Sequence, residues 1–78
     1  MAAAELVAHL ARGLVDDREA VHVEEVEREG MLVLQLHVAK DEVGKVIGRQ
    51  GRIARALRTI VRACSARSDR RMMLEIVE

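Results

Sequence analysis

The chain has 78 residues, and its 13 Lys and Arg side chains are balanced by 13 Asp and Glu. This length allows one domain with a modest core. Phe, Tyr, Trp and proline are all absent, which excludes proline-rich recognition segments and RNA readers that stack bases on Phe or Tyr. One cysteine permits neither an internal disulfide nor a cysteine zinc cage. The N-terminus does not resemble a signal peptide, and no apolar run approaches the roughly 20 residues of a membrane span, so we expect a cytoplasmic protein.

The zero net charge hides a segregation of charge along the chain. Residues 1–39 carry eight acids and three bases, whereas residues 40–78 carry ten bases and five acids. Seven of those bases lie between Lys45 and Arg67, with no acid among them. Such segregation is typical of a protein with a polyanionic partner, but a solvated helix face produces the same pattern.

The first half of the chain predicts a helix followed by a hairpin. Apolar residues at helical spacing favour a helix over residues 2–14. Alternating β-branched and polar residues favour strands over residues 21–27 and 31–39, joined by a turn at Glu29-Gly30. Val26 interrupts the alternation, which indicates a bulge or a strand end. In the second strand, the alternation places Leu34 and Leu36 on one face and Val33 on the other.

The second half predicts two helices and a last strand. A short helix begins near Asp41 and runs through Ile47, and a longer one covers residues 52–67. The longer helix carries apolar side chains on one face and arginines opposite, and Cys64 belongs to the apolar face. Residues 72–77 close the chain as a strand. The predicted order is α-β-β-α-α-β, in one domain that spans residues 1–78.

Two glycines three residues apart separate these helices, in the run Gly48-Arg49-Gln50-Gly51. They allow a tight turn with positive φ and no Cβ at its tip. The second glycine precedes the N-terminus of the arginine-bearing helix, an end suited to phosphate. A P-loop is excluded because Ala39 replaces its first glycine and Val46 its Ser or Thr.

Residues 46–53, VIGRQGRI, resemble the KH-domain signature V-I-G-x-x-G-x-x-I, except that Ile53 falls one place early and Ala54 occupies the usual position. The element order resembles the type II KH fold, an α+β domain in which a three-stranded sheet packs against three helices. The chain is similar to the small bacterial KhpA (YlqC-type) family of RNA-binding proteins over essentially its whole length. The final strand, with Leu74-Glu75-Ile76-Val77, adds to this likeness.

The resemblance implies a clamp on about four nucleotides of single-stranded RNA. Its groove floor would include Val46, Ile47 and the apolar flank of the long helix, and its opposite wall would come from the second strand, around residues 34–38. The residues expected to bind RNA are Lys45, Val46, Ile47, Gly48, Arg49, Gln50, Gly51, Arg52 and Arg55. No cofactor or metal is implied. Whether Arg58 and Arg62 contact RNA stays open.

The sequence favours two binding functions and disfavours two others. The first is single-stranded RNA binding, as an RNA chaperone or post-transcriptional regulator. The second is a dimerisation or adaptor module that pairs with itself or with a larger KH protein of the KhpB/Jag type. Duplex DNA binding by a helix–turn–helix is disfavoured because the long helix offers Arg and Ala but no Asn. An enzyme is disfavoured because no nucleophile, acid–base pair or metal-binding spacing is visible among the three His, the one Cys and the hydroxyl residues.

Overall fold

The computed structural model describes all 78 residues and has the predicted order of elements. It contains three helices and three strands, and short 3-10 turns form part of three of the connections between them. The helices and strands are α1 (Ala3–Arg12), β1 (His22–Arg28), β2 (Met31–His37), α2 (Val43–Ile47), α3 (Arg52–Ala66) and β3 (Arg71–Ile76). The predicted α+β fold, with a three-stranded sheet packed against three helices, is therefore confirmed. No helix is both long enough and apolar enough to cross a membrane.

The sheet is mixed, and β2 is its central strand. β1 and β2 pair antiparallel, while β2 and β3 pair parallel. The turn between β1 and β2 is Glu29-Gly30, as predicted, and both residues have positive φ. Two such residues suit a type I′ turn, whose twist matches that of the strands it joins. The connection from β2 to β3 contains α2, α3 and the glycine loop, so the sheet holds both ends of that segment.

The core lies between one face of the sheet and the helices. Leu34 and Leu36 of β2 are fully buried there, as the alternation of the second strand predicts. Val7 and Ala11 bring α1 to this face, and the apolar side of α3 lies against it beside β3. Both helices are amphipathic, so each buries one stripe and leaves its charged side in water.

The outer face of the sheet contains an apolar row that includes Val33 and Met73. Val26 pairs with Val33, and Val33 pairs with Met73, so the row crosses all three strands. The predicted bulge or strand end at Val26 is wrong, because the β1–β2 register continues unbroken to Arg28. Val26 departs from the expected pattern because it faces outward onto Val33, which is only 2% exposed although it lies on this outer side.

Candidate nucleic-acid interface

The chain reverses direction at Gly48, between α2 and α3. Gly48 has φ 77° and ψ 171°, a conformation that is essentially restricted to glycine. A Cβ at this position would come within 2.7 Å of Ile53 Cγ1. Ile53 falls one place early in the motif because its side chain packs over this turn, while Ala54 lies on the buried side of α3. Internal packing, rather than close approach of a ligand, therefore requires glycine at position 48.

The loop ends in a 3-10 turn, Arg49–Gly51, that leads into α3. Gln50 and Gly51 both have positive φ, at 57° and 73°. Gly51 is the N-cap of α3 and offers no side chain to the first amides of the helix, and the first turn of α3 contains no acid. This helix end therefore keeps a positive potential that favours an anion.

Six arginines between positions 49 and 67 form a basic surface that runs from this loop along α3. All six are exposed, and none forms an ion pair. Arg52 donates a hydrogen bond from Nη2 to Gln50 Oε1 at 3.3 Å, so it is oriented across the loop. The surface comprises Arg49, Arg52, Arg55, Arg58, Arg62 and Arg67. Because these charges have no partner within the chain, they are available to a polyanion.

Two expectations about the groove are wrong. Val46 is fully buried, so it belongs to the core under α2 and cannot form part of an accessible floor. The expected wall at residues 34–38 lies in and after the central strand, where Leu34 and Leu36 are covered by the helices. Sequence alternation places residues on a face but does not say which strand is central, and this is why the wall was misplaced.

A small groove, one of four on the molecular surface, lies between α3 and the edge strand β3. Its cavity has a volume of about 120 Å³ and is lined by basic and aliphatic side chains from both elements. These are Arg58, Val61 and Arg62 from α3, and Met72, Met73 and Leu74 from β3. Arg58 and Arg62, whose role was left open, thus border the groove. Ile47 is half-buried at the end of α2, beside the loop.

Glu42 is a functional candidate that the sequence analysis missed. It is the one charged or polar residue that is buried, at 6% exposure. Its carboxylate accepts hydrogen bonds from the amides of Asp16 at 2.7 Å and Asp17 at 2.9 Å. These bonds, with a further one from the Lys45 ammonium, lower the pKa of Glu42 from 4.5 to about 2. The sequence shows the three-residue spacing of Glu42 and Lys45. It does not show that the amides of Asp17 and Asp16, 25 and 26 residues away, donate to Glu42.

Lys45 is the one base near the loop that forms ion pairs within the chain. Its Nζ lies 2.9 Å from Asp16 Oδ2 and 3.0 Å from Glu42 Oε2. Hydrogen bonds to these two carboxylates raise the pKa of Lys45 to about 12. Lys45 therefore differs from the arginines that follow it, although the motif places all of them in one basic run.

Other reactive side chains lie away from this surface. No group of three or more His, Cys, Asp or Glu side chains is placed to hold a metal ion. His22 and His37 look isolated in the sequence, but β1–β2 pairing stacks their rings 4.3 Å apart on the outer face of the sheet. Cys64 is half-buried on α3.

Replacing Gly48 by alanine should destabilise the fold more than replacing Gly51. Gly48→Ala combines a disfavoured backbone with a contact onto Ile53, and we expect a loss of about 2–3 kcal/mol. Gly51→Ala meets only Arg55 Nη1 at 3.7 Å. That variant should lose about 1 kcal/mol, the usual cost of a left-handed alanine. Urea unfolding followed by circular dichroism measures both values, and equal losses would contradict the packing role of Gly48.

Replacing Glu42 by glutamine should remove a pH-dependent part of the stability. Because the folded-state pKa of about 2 lies below the ordinary 4.5, the contribution is present above pH 4.5 and is lost as pH falls towards 2. We expect Glu42→Gln to lower Tm by roughly 5–10 °C at neutral pH, since one amide then faces an NH₂ group. The difference from the parent should shrink on acidification. Circular dichroism melts across this range measure it, with Glu25→Gln as an exposed control, and a difference that is constant with pH would contradict the assignment.

Comparison with known proteins agrees with this architecture. A sequence model of the family described as "KhpA/KhpB, KH domain" matches residues 4–76. Two similar relatives are both named "RNA-binding protein KhpA": one from Treponema pallidum is 51% identical over 95% of this chain and 92% of its own length, and one from Borreliella burgdorferi is 45% identical over 95% and 90%. A solved structure of an Era variant from Aquifex aeolicus, bound to GDP.AlF4-, has the same fold. It gives a TM-score of 0.60 at 20% identity, over 95% of this chain and 29% of that one.

The family match covers all three helices and all three strands, and the VIGRQGRI run forms the loop between α2 and α3 that the signature predicts. Relatives above 40% identity align along nearly their whole length. The chain therefore belongs to the KhpA/KhpB family of KH domains.

Proposed function

We propose that this chain binds single-stranded RNA through residues 48–51, the N-terminal end of α3 and the groove between α3 and β3. The observation that carries the proposal is the arginine surface: six exposed arginines without an acidic partner run from the loop along α3, whose N-terminal end lacks a side-chain cap. The names of the relatives, which describe them as RNA-binding proteins, support it. The role is one of binding rather than catalysis, and it belongs in the cytoplasm, the compartment that holds most bacterial RNA.

The proposed division of labour follows the chemistry of the groove. Phosphates lie against the loop and the first turn of α3, where Arg49, Gln50, Arg52 and Arg55 are exposed. Gly48 and Gly51 give the loop its shape, and Ile47 lies at the entrance to the groove. Bases lie over the mouth of the groove between α3 and β3, where Met72 is half-buried and Val61 and Leu74 are buried. Aliphatic contacts of this kind need no aromatic platform, which the chain lacks.

A KH clamp on about four nucleotides limits affinity. With roughly three phosphates neutralised, we expect micromolar binding and little discrimination between sequences. Weak and permissive binding suits an RNA chaperone or a post-transcriptional regulator that acts on many transcripts. We propose this role for the 78-residue chain acting as one RNA-binding unit.

Replacing Arg49 and Gln50 together by aspartate should abolish most RNA binding and leave the fold intact. Both side chains are exposed, and aspartate tolerates the positive φ of position 50. Two new carboxylates against phosphate should lower affinity at least about tenfold. Fluorescence anisotropy of labelled oligonucleotides measures this, with RNA, single-stranded DNA and duplex compared.

A charge-reversal control is available at the opposite end of the sheet. Arg28 lies at the β1–β2 turn, and its pairing with Glu75 at 3.6 Å is a surface ion pair of little energetic weight. Arg28→Asp should bind RNA nearly as well as the parent. Equal losses in both variants, or tighter binding of duplex than of single strands, would contradict the proposed interface.

We also propose association with a second KH domain, either a second copy of this chain or a larger KhpB-type protein. A second domain raises the effective concentration of a weak site without new contacts to RNA. The outer face of the sheet supports this, because Met73, 44% exposed, continues the apolar row across it.

Sedimentation velocity with interference optics tests the association, since the chain has no Trp or Tyr to absorb light. We expect a dimer at micromolar concentration or above, and a shift towards monomer in Met73→Glu. A monomer at all concentrations that also fails to bind a KhpB-type partner would exclude association and would leave the RNA-binding proposal standing.

A further inference from the structure

Lys45 differs in its surroundings from every other base near the loop. Its ammonium is held between Asp16 and Glu42, at 2.9 and 3.0 Å, whereas the six arginines at positions 49–67 meet no carboxylate. An ammonium that already has two acidic partners gains less from a phosphate than a free one, because the phosphate must compete with both. Proximity to the glycine loop in sequence therefore does not make Lys45 an RNA ligand.

Glu42 connects this lysine to a distant part of the chain. Its Oε2 accepts hydrogen bonds from both the Asp16 amide and Lys45 Nζ, and its Oε1 accepts one from the Asp17 amide. The α1–β1 connection, at residues 16–17, is thereby attached to the start of α2. We call this arrangement the Glu42 clip: Glu42, Lys45 and the backbone and side chain of Asp16, with the Asp17 amide.

The clip has a mechanical consequence because α2 is only five residues long. A helix of this length has little stability of its own, and tertiary contacts must fix its direction. Val46 anchors α2 to the core, and the clip holds it through Glu42 and Lys45. Gly48 follows at once, its amide donating to Gly44 O at 2.8 Å. The direction of α2 therefore sets where the loop begins.

We propose that Glu42 and Lys45 are positioning residues, which hold α2 and residues 48–51 in the orientation that binds RNA, and that Lys45 does not itself neutralise a phosphate. This inference rests on the proposed RNA-binding function. It assigns the effect of Lys45 to the shape of the free protein, and it predicts that the α1–β1 connection and the RNA-binding loop are energetically coupled.

Salt dependence of RNA binding separates positioning from direct contact. Loss of one phosphate contact lowers the slope of log K against log salt by about 1, whereas loss of preorganisation lowers affinity at every salt concentration alike. Lys45→Met keeps the apolar stem and removes the charge. We expect it to weaken RNA binding about three- to tenfold with an unchanged slope. Lys45→Arg, which can still pair with both carboxylates, should retain most of the parent affinity.

Two further variants complete the comparison. Lys40→Met removes an exposed lysine that has no ion pair, so it controls for net charge and should bind RNA like the parent. Glu42→Gln should weaken binding as Lys45→Met does, and the double variant should be no worse than the weaker single one, because both act through one clip. A reduced slope in Lys45→Met, or tighter RNA binding in Glu42→Gln through release of Lys45, would overturn the proposal.

NMR spectra of the free protein test the positioning role of the clip separately from the proposed RNA binding. In ¹H–¹⁵N spectra of the free protein, Lys45→Met and Glu42→Gln should both shift the amide signals of residues 16–17 and 48–51, and Lys40→Met should shift neither set. Unchanged signals at residues 48–51 in both clip variants would exclude positioning. If the parent chain bound no RNA at all, the proposed function would fail, and these signals would still decide whether the clip orients the loop.

Discussion

The packing of Ile53 against Gly48 is the contact on which the rest of this interface depends. It lets α2 and α3 meet across a loop of four residues, since a side chain at position 48 would occupy the space of Ile53 Cγ1. The two helices are therefore held at a fixed angle by a contact inside the protein. The uncapped N-terminus of α3 and the exposed arginines follow from this one reversal of the chain.

The fold leaves the six arginines at positions 49–67 without ion pairs. Two acids of the sheet pair with bases outside this set: Glu27 with Arg70 at 3.0 Å, and Glu75 with Arg28 at 3.6 Å. No acid forms an ion pair with an arginine at positions 49–67. A chain with zero net charge thus presents a strongly basic surface, and net charge alone is a poor guide to its partner.

Local patterns in the sequence predicted the elements well. The spacing of Leu57 and Val61 against the arginines gave the faces of α3, and Glu29-Gly30 gave the hairpin. Both signals act within a few residues, where periodicity and turn chemistry are decisive. The requirement for glycine at position 48 was also visible, although its reason, contact with Ile53, was not.

The errors concern contacts between residues far apart in the chain. Nothing local shows that β2 is central and β3 an edge, so the groove wall was placed on the wrong strand. Val46 was assigned to the groove from its position in the motif, but its side chain is fully buried in the core. Glu42 escaped notice because its partners lie in the α1–β1 connection. Long-range packing decides all three, and sequence patterning does not carry that information.

The most direct test of this account is a titration of the ¹⁵N-labelled chain with a short single-stranded RNA, followed through amide signals. The account predicts that perturbations concentrate at residues 47–62 and along β3, with the largest at the loop and the first turn of α3. It also predicts that the β1–β2 turn stays unchanged. Perturbations centred on β1 or on the outer face of the sheet, with the signals of residues 48–51 unmoved, would contradict it.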